Sequence, residues 1–70
     1  MHPREQDANR AAFARAERCY EDALGMRRES VAQLISQFAA VIDAQDPRAI
    51  EVAREELSRA LDAIEGETFL

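Results

Sequence analysis

The stretch AVIDAQDPRAIEVA, residues 40–53, decides the fold. Apolar residues at helical spacing lead into it and resume at helical spacing after it. Between them stands Gln45-Asp46-Pro47. Asp46 is a good N-cap, because its carboxylate accepts from the free N–H groups that open a helix. Pro47 suits the first helical position and disfavours helical geometry at Asp46. One helix therefore ends near Ala44 or Gln45, and another begins at Pro47. A link of two or three residues makes the two helices antiparallel neighbours. Asp46 and Pro47 are the bend of a helical hairpin.

Upstream of the bend, SVAQLISQFAAVID (residues 30–43) places Val31, Leu34, Ile35, Phe38, Val41 and Ile42 on one face. Gln33, Ser36, Gln37 and Asp43 face away. Downstream, Ile50, Ala53, Leu57, Ala60, Leu61 and Ile64 line the inner face of a helix over 47–65, which Gly66 is expected to end. Residues 67–70 are then a short tail, with Phe69 and Leu70 free to fold back or dock elsewhere.

An earlier helix over 8–24 carries Phe13, Tyr20 and Leu24 along a stripe. Asp7 or Asn9 is the candidate cap, after a polar, frayed lead-in over 1–7. Two readings of Gly25 stay open. It closes this helix in a left-handed conformation, or it lies inside one long helix over about 8–44. The apolar register survives it, since Phe13, Tyr20, Leu34 and Val41 fall on one period of seven. Arg27 and Arg28 interrupt the stripe and are read as a loop before a second helix over 27–44, with a polar interface contact as the other reading.

The expectation is an all-α fold: the antiparallel hairpin plus a longer N-terminal helix, forming a three-helix bundle in one domain over 8–66. Its core or interface residues are Phe13, Tyr20, Leu24, Val31, Leu34, Ile35, Phe38, Val41, Ile50, Leu57, Leu61 and Ile64. A chain of 70 residues buries a modest core, so a second chain or a larger parent protein would help it fold. Fourteen alanines against two glycines and two prolines are helix-forming material.

The net charge of −5 and the isoelectric point near 4.7 disfavour nucleic acid and anionic membranes, which both attract basic surfaces. No apolar run is long enough to span a bilayer. MHPREQDANR has no signal-peptide core, and a single cysteine staples nothing internally, so cytoplasm is the expected compartment.

The residues suggest no catalytic chemistry. Cys19 lacks a second cysteine, and the one histidine, His2, lies in the lead-in. Glu51, Glu55, Glu56 and Asp62 are the densest acidic group, but no histidine stands at the spacing of a carboxylate metal bundle. They are read as a solvated face. No phosphate-binding glycine motif and no C-x-x-C is present. No catalytic residue, metal or cofactor is expected.

Residues 30–64, SVAQLISQFAAVIDAQDPRAIEVAREELSRALDAI, resemble the C-terminal helical lid of the heat-shock-seventy (DnaK-type) chaperones. Those lids carry an amphipathic helix, a short acidic turn and a second helix opening with an Ala-Ile-Glu-like run. Here that run is Ala49-Ile50-Glu51. AERCYEDALG, residues 16–25, looks like the end of the longer lid helix that packs on the hairpin. The resemblance implies a non-enzymatic interaction module, lid-like, that covers bound unfolded client and slows its release. It implies protein partners: parent chaperone domains, client, or its own copy. The family's nucleotide-binding domain and peptide-binding β-sandwich have no counterpart in these residues. One rival reading is a free-standing helical protein that homodimerises or binds a partner helix as an adaptor. Another is a small subunit lending helices to a larger active site.

Overall fold

Two extended residues and two residues of positive φ are enough to turn this chain back on itself twice. The computed structural model describes residues 1–68. A single 3-10 turn, Pro3–Glu5, is followed by α1 (Asp7–Asp22), α2 (Gly25–Ala44) and α3 (Pro47–Thr68). The three α-helices pack on one another as a bundle measuring 38 × 16 × 16 Å between Cα extremes.

At the α2–α3 bend, Gln45 takes the left-handed conformation (φ 60°) and closes α2 with its N–H on the Ile42 carbonyl. Asp46 Oδ1 then accepts from the Arg48 N–H at 3.1 Å, which caps α3 behind Pro47. The cap and the proline act together, as their chemistry requires.

The α1–α2 break resolves the question at Gly25. The helix does not run through. Ala23 and Leu24 are extended, and Gly25 opens α2 with φ +59°, a conformation that costs glycine little. Gly25 therefore starts a helix rather than closing one. The break also corrects Leu24. On an unbroken helix it would follow Tyr20 into the core. In extended backbone, successive side chains point to opposite sides. Ala23 turns inward and is buried, whereas Leu24 turns outward and is 79% exposed.

Arg27 and Arg28 belong to the first turns of α2, not to a loop. Arg28 lies over the Tyr20 ring at 4.2 Å, and Arg27 Nε reaches Glu67 Oε2 at 3.5 Å. At the far end, Gly66 does not terminate α3, which runs on to Thr68. Glu65 and Glu67, on either side of it, are held by arginines of α1 and α2. The tail residues Phe69 and Leu70 lie outside the described residues.

The core is formed by Phe13, Ala16 and Cys19 of α1, Val31, Phe38 and Ile42 of α2, and Ile50, Leu57 and Leu61 of α3. Tyr20, Leu34, Ile35, Val41 and Ile64 pack against it half-buried. Phe13 and Phe38 meet at 5.0 Å between ring centroids, tilted by 51°, which is favourable aromatic geometry. The lead-in is structured as well. Arg4 covers the Phe13 ring at 4.4 Å, and the His2 imidazole accepts from the Arg4 N–H.

Candidate functional site

Two polar clusters pin α1 to α3, and an open cleft lies between them and the α1–α2 break. The first cluster is built on Asn9, whose side chain is fully buried. Its amide donates to the Pro3 carbonyl at 2.9 Å, and its Oδ1 accepts from Arg54 Nη1 at 2.8 Å. Asn9 does not cap α1. Gln6 precedes that helix and makes no side-chain cap. Asn9 instead ties the 3-10 turn and α3 to α1, and every buried side-chain polar atom among the described residues has a partner. This arrangement avoids the cost of an unpaired polar group in the core.

The second cluster is built on Arg15. Its guanidinium forks onto Glu65, with Nε to Oε1 at 3.3 Å and Nη2 to Oε2 at 3.0 Å. It also donates to Ser58 Oγ at 3.1 Å and to Asp62. Ser58, Asp62 and Glu65 recur every three or four residues, so one face of α3 presents all three to one arginine. The Arg15 hydrogen bond holds the Glu65 carboxyl below its ordinary range. The same contact raises the arginine further.

Cys19 is one turn beyond Arg15. Its thiol donates to Glu65 Oε1 at 3.5 Å. Burial, and then this hydrogen bond, push the thiol up from its ordinary value. A raised thiol carries little thiolate at neutral pH, and Glu65, already claimed by Arg15, is a weak base for it. The sulfur is thus placed as a packing group. His2 is far from it along the bundle, with Nε2 at 4.0 Å from Asp43. Glu51, Glu55 and Glu56 are exposed, as a solvated face requires. Asp62 departs from that reading by joining Arg15. Among the described residues no group of three acidic, histidine or cysteine side chains is placed to hold a metal.

The cleft, of about 500 Å³, opens beside Cys19 where α1 ends. Ala23, Leu24 and Ile64 supply its apolar lining, with Arg18, Arg27 and Asp22 at the rim. Of the residues expected at the core or interface, only Leu24 and Ile64 line it.

The polar anchors Arg15, Arg54 and Glu65 are missing from the sequence reading, and Asn9 enters it only as a candidate cap. A signal for two of them existed. Asn9 stands four residues before Phe13, and Arg54 four after Ile50, so each occupies the register of an apolar stripe. A polar residue in that register needs a partner, and each is the other's.

No helix among the described residues is long and apolar enough to cross a membrane. No family model, no curated protein and no solved structure matches the chain.

Proposed function

We propose that this chain is a non-enzymatic helical module that binds protein, and that it works as a lid-like cover over unfolded client. The observation that carries the reading is Leu24. A large apolar side chain stands 79% exposed at the mouth of a cleft where Cys19, Ala23 and Ile64 lie among the charged Arg15, Arg18, Asp22, Arg27 and Glu65. An exposed apolar group beside a cleft of mixed apolar and charged lining has the character of a protein contact. The lid-like form of the reading draws on the resemblance of residues 30–64. It is supported by α2 and α3 pairing across Gln45-Asp46 while α1 packs on both. The rival that relied on an unbroken helix through Gly25 loses that support, because the helix breaks at Ala23 and Leu24.

The test uses the full chain and a permanently unfolded probe, fluorescein-labelled carboxymethylated α-lactalbumin, followed by fluorescence anisotropy. Binding in the micromolar range is expected, weakened about tenfold or more by Leu24→Asp. Leu24 is exposed, so the substitution should leave the helical circular-dichroism signal intact. Binding that is absent, or indifferent to Leu24→Asp, would sink the client-binding reading.

A further inference from the structure

The link between α1 and α2 is two residues long, Ala23 and Leu24, and the residues around it oppose the break it makes. α1 ends on Glu21 and Asp22, with no basic residue in its last turn. α2 opens with Arg27 and Arg28, with no acidic residue in its first turn. Both sets of charges stand at the wrong end of their helix dipole. α2 has no side-chain cap, and Gly25 takes φ +59° to start it. Leu24 is left 79% exposed. One straight helix through this point would remove all of these features. It would have no termini here, and Phe13, Tyr20, Leu24, Val31, Phe38 and Ile42 would fall within about 40° of one another around its axis. All of these except Leu24 already belong to the core or pack against it.

We propose that two copies of the chain exchange α1. In each copy the break straightens, α1 and α2 run on as one helix, and α1 packs on the α2–α3 hairpin of the other. The bundle itself selects the occupant. The face that α1 leaves on the hairpin is complementary to α1 of this sequence, because α1 covers that face within a single chain. Phe13 then meets Phe38, Arg15 meets Glu65 and Asn9 meets Arg54 of the second copy, in the contacts each makes within one. The interface is the core that α1 already buries, and exchange gives up none of it.

The same contacts place the axis. Phe13 lies against Phe38 and Tyr20 against Arg28, residues at nearly equal distances along the chain on either side of Leu24 and Gly25. Two straight helices paired in this way meet their twofold there, and Leu24 faces Leu24 of the second copy. The side chain that a single chain leaves exposed is thereby covered at the axis. A short link under strain favours such exchange. In dilute solution the link keeps α1 on its own hairpin, and a second copy competes as concentration rises.

Refolding the full, reduced chain from urea at micromolar and at millimolar concentration, followed by sedimentation velocity, tests this. A monomer is expected at micromolar and a dimer at millimolar. Gly25→Ala should raise the dimerisation constant about a hundredfold, because only the single chain strains an alanine at φ +59° and both copies are relieved of it. Leu24→Asp should lower it at least about tenfold, by setting two carboxylates at the axis and by giving α2 of the single chain the cap it lacks. Dimers refolded from an equal mixture of isotope-labelled and unlabelled chains should show Phe13–Phe38 contacts between chains in isotope-filtered NMR. A wild-type chain that refolds only as a monomer at millimolar concentration, or a dimer without that cross-chain contact, overturns the proposal. The client test through Leu24 is made at micromolar protein, where the chain is a single copy, so the two fail separately.

Discussion

Arg15 of α1 and Glu65 of α3, fifty residues apart in the chain, meet through two parallel hydrogen bonds of 3.3 and 3.0 Å. Fork-to-fork pairing of guanidinium with carboxylate is the strongest geometry available to such a pair. Its location matters as much. It joins the middle of α1 to the last turns of α3 and forms one wall of the cleft.

This pair gives the fold an acid limit. The Glu65 carboxyl is held below its ordinary range in the folded chain, chiefly by the Arg15 hydrogen bond. As pH falls, the unfolded state takes up that proton first. The stabilisation is therefore complete above about pH 4.3, the unperturbed glutamate value, and is lost as pH falls through the folded value. Cys19 acts in the opposite direction. Its thiol is raised, so its contribution is complete below about pH 8.5 and is lost as pH rises through the folded value. Thermal unfolding from pH 3 to 10 should show a plateau with a decline on each side. Glu65→Gln should shallow the acid limb and Cys19→Ala the alkaline one. Both members of the ion pair are partly exposed, so at neutral pH Glu65→Gln should lower the melting temperature by only a few degrees. An acid limb unchanged by Glu65→Gln would assign it to other carboxylates.

Asn9 should be far less tolerant of change. It is fully buried and partnered on both sides. Asn9→Ala strips the partner from the Pro3 carbonyl and from Arg54 together. The expected cost is about 1–3 kcal/mol, the penalty of leaving buried polar groups unsatisfied. Urea denaturation followed by circular dichroism measures it. Arg54→Leu in the Asn9→Leu background replaces both members by apolar groups and should recover much of the loss. A double variant no better than Asn9→Ala would mean that the Pro3 contact, not Arg54, dominates.

Much of this architecture is legible in the sequence because period and punctuation agree. Asp46 and Pro47 state their own geometry, and Val31, Phe38, Ile50, Leu57 and Leu61 repeat at helical spacing into one core. Leu24 was open to misreading because it keeps the register of α1 across a break that only backbone geometry reveals. Gly66 has the look of a helix end, yet the roughly 1 kcal/mol that glycine costs a helix is small beside side-chain ties on either side of it. The polar anchors are the least legible part. Arg15 and Glu65, like Asn9 and Arg54, are partners across 45 to 50 residues, and no local pattern couples them.

The two glycines should therefore respond in opposite ways to one substitution. Neither would meet a neighbour, since a Cβ added at Gly25 or Gly66 finds nothing within 4 Å. What differs is the backbone. Gly25 has φ +59°, where an L-residue's Cβ crowds the following carbonyl, so Gly25→Ala should destabilise by about 1–2 kcal/mol. Gly66 lies within α3, where Ala is the better helix former and restricts the unfolded chain more. Gly66→Ala should stabilise by roughly 0.5–1 kcal/mol. Asparagine tolerates the left-handed region, so Gly25→Asn should fall between wild type and Gly25→Ala. Urea midpoints of the three variants give the comparison. A gain in stability at Gly25→Ala would mean that α1 and α2 run on as one helix, and the outward turn of Leu24, with the cleft it borders, would then be lost.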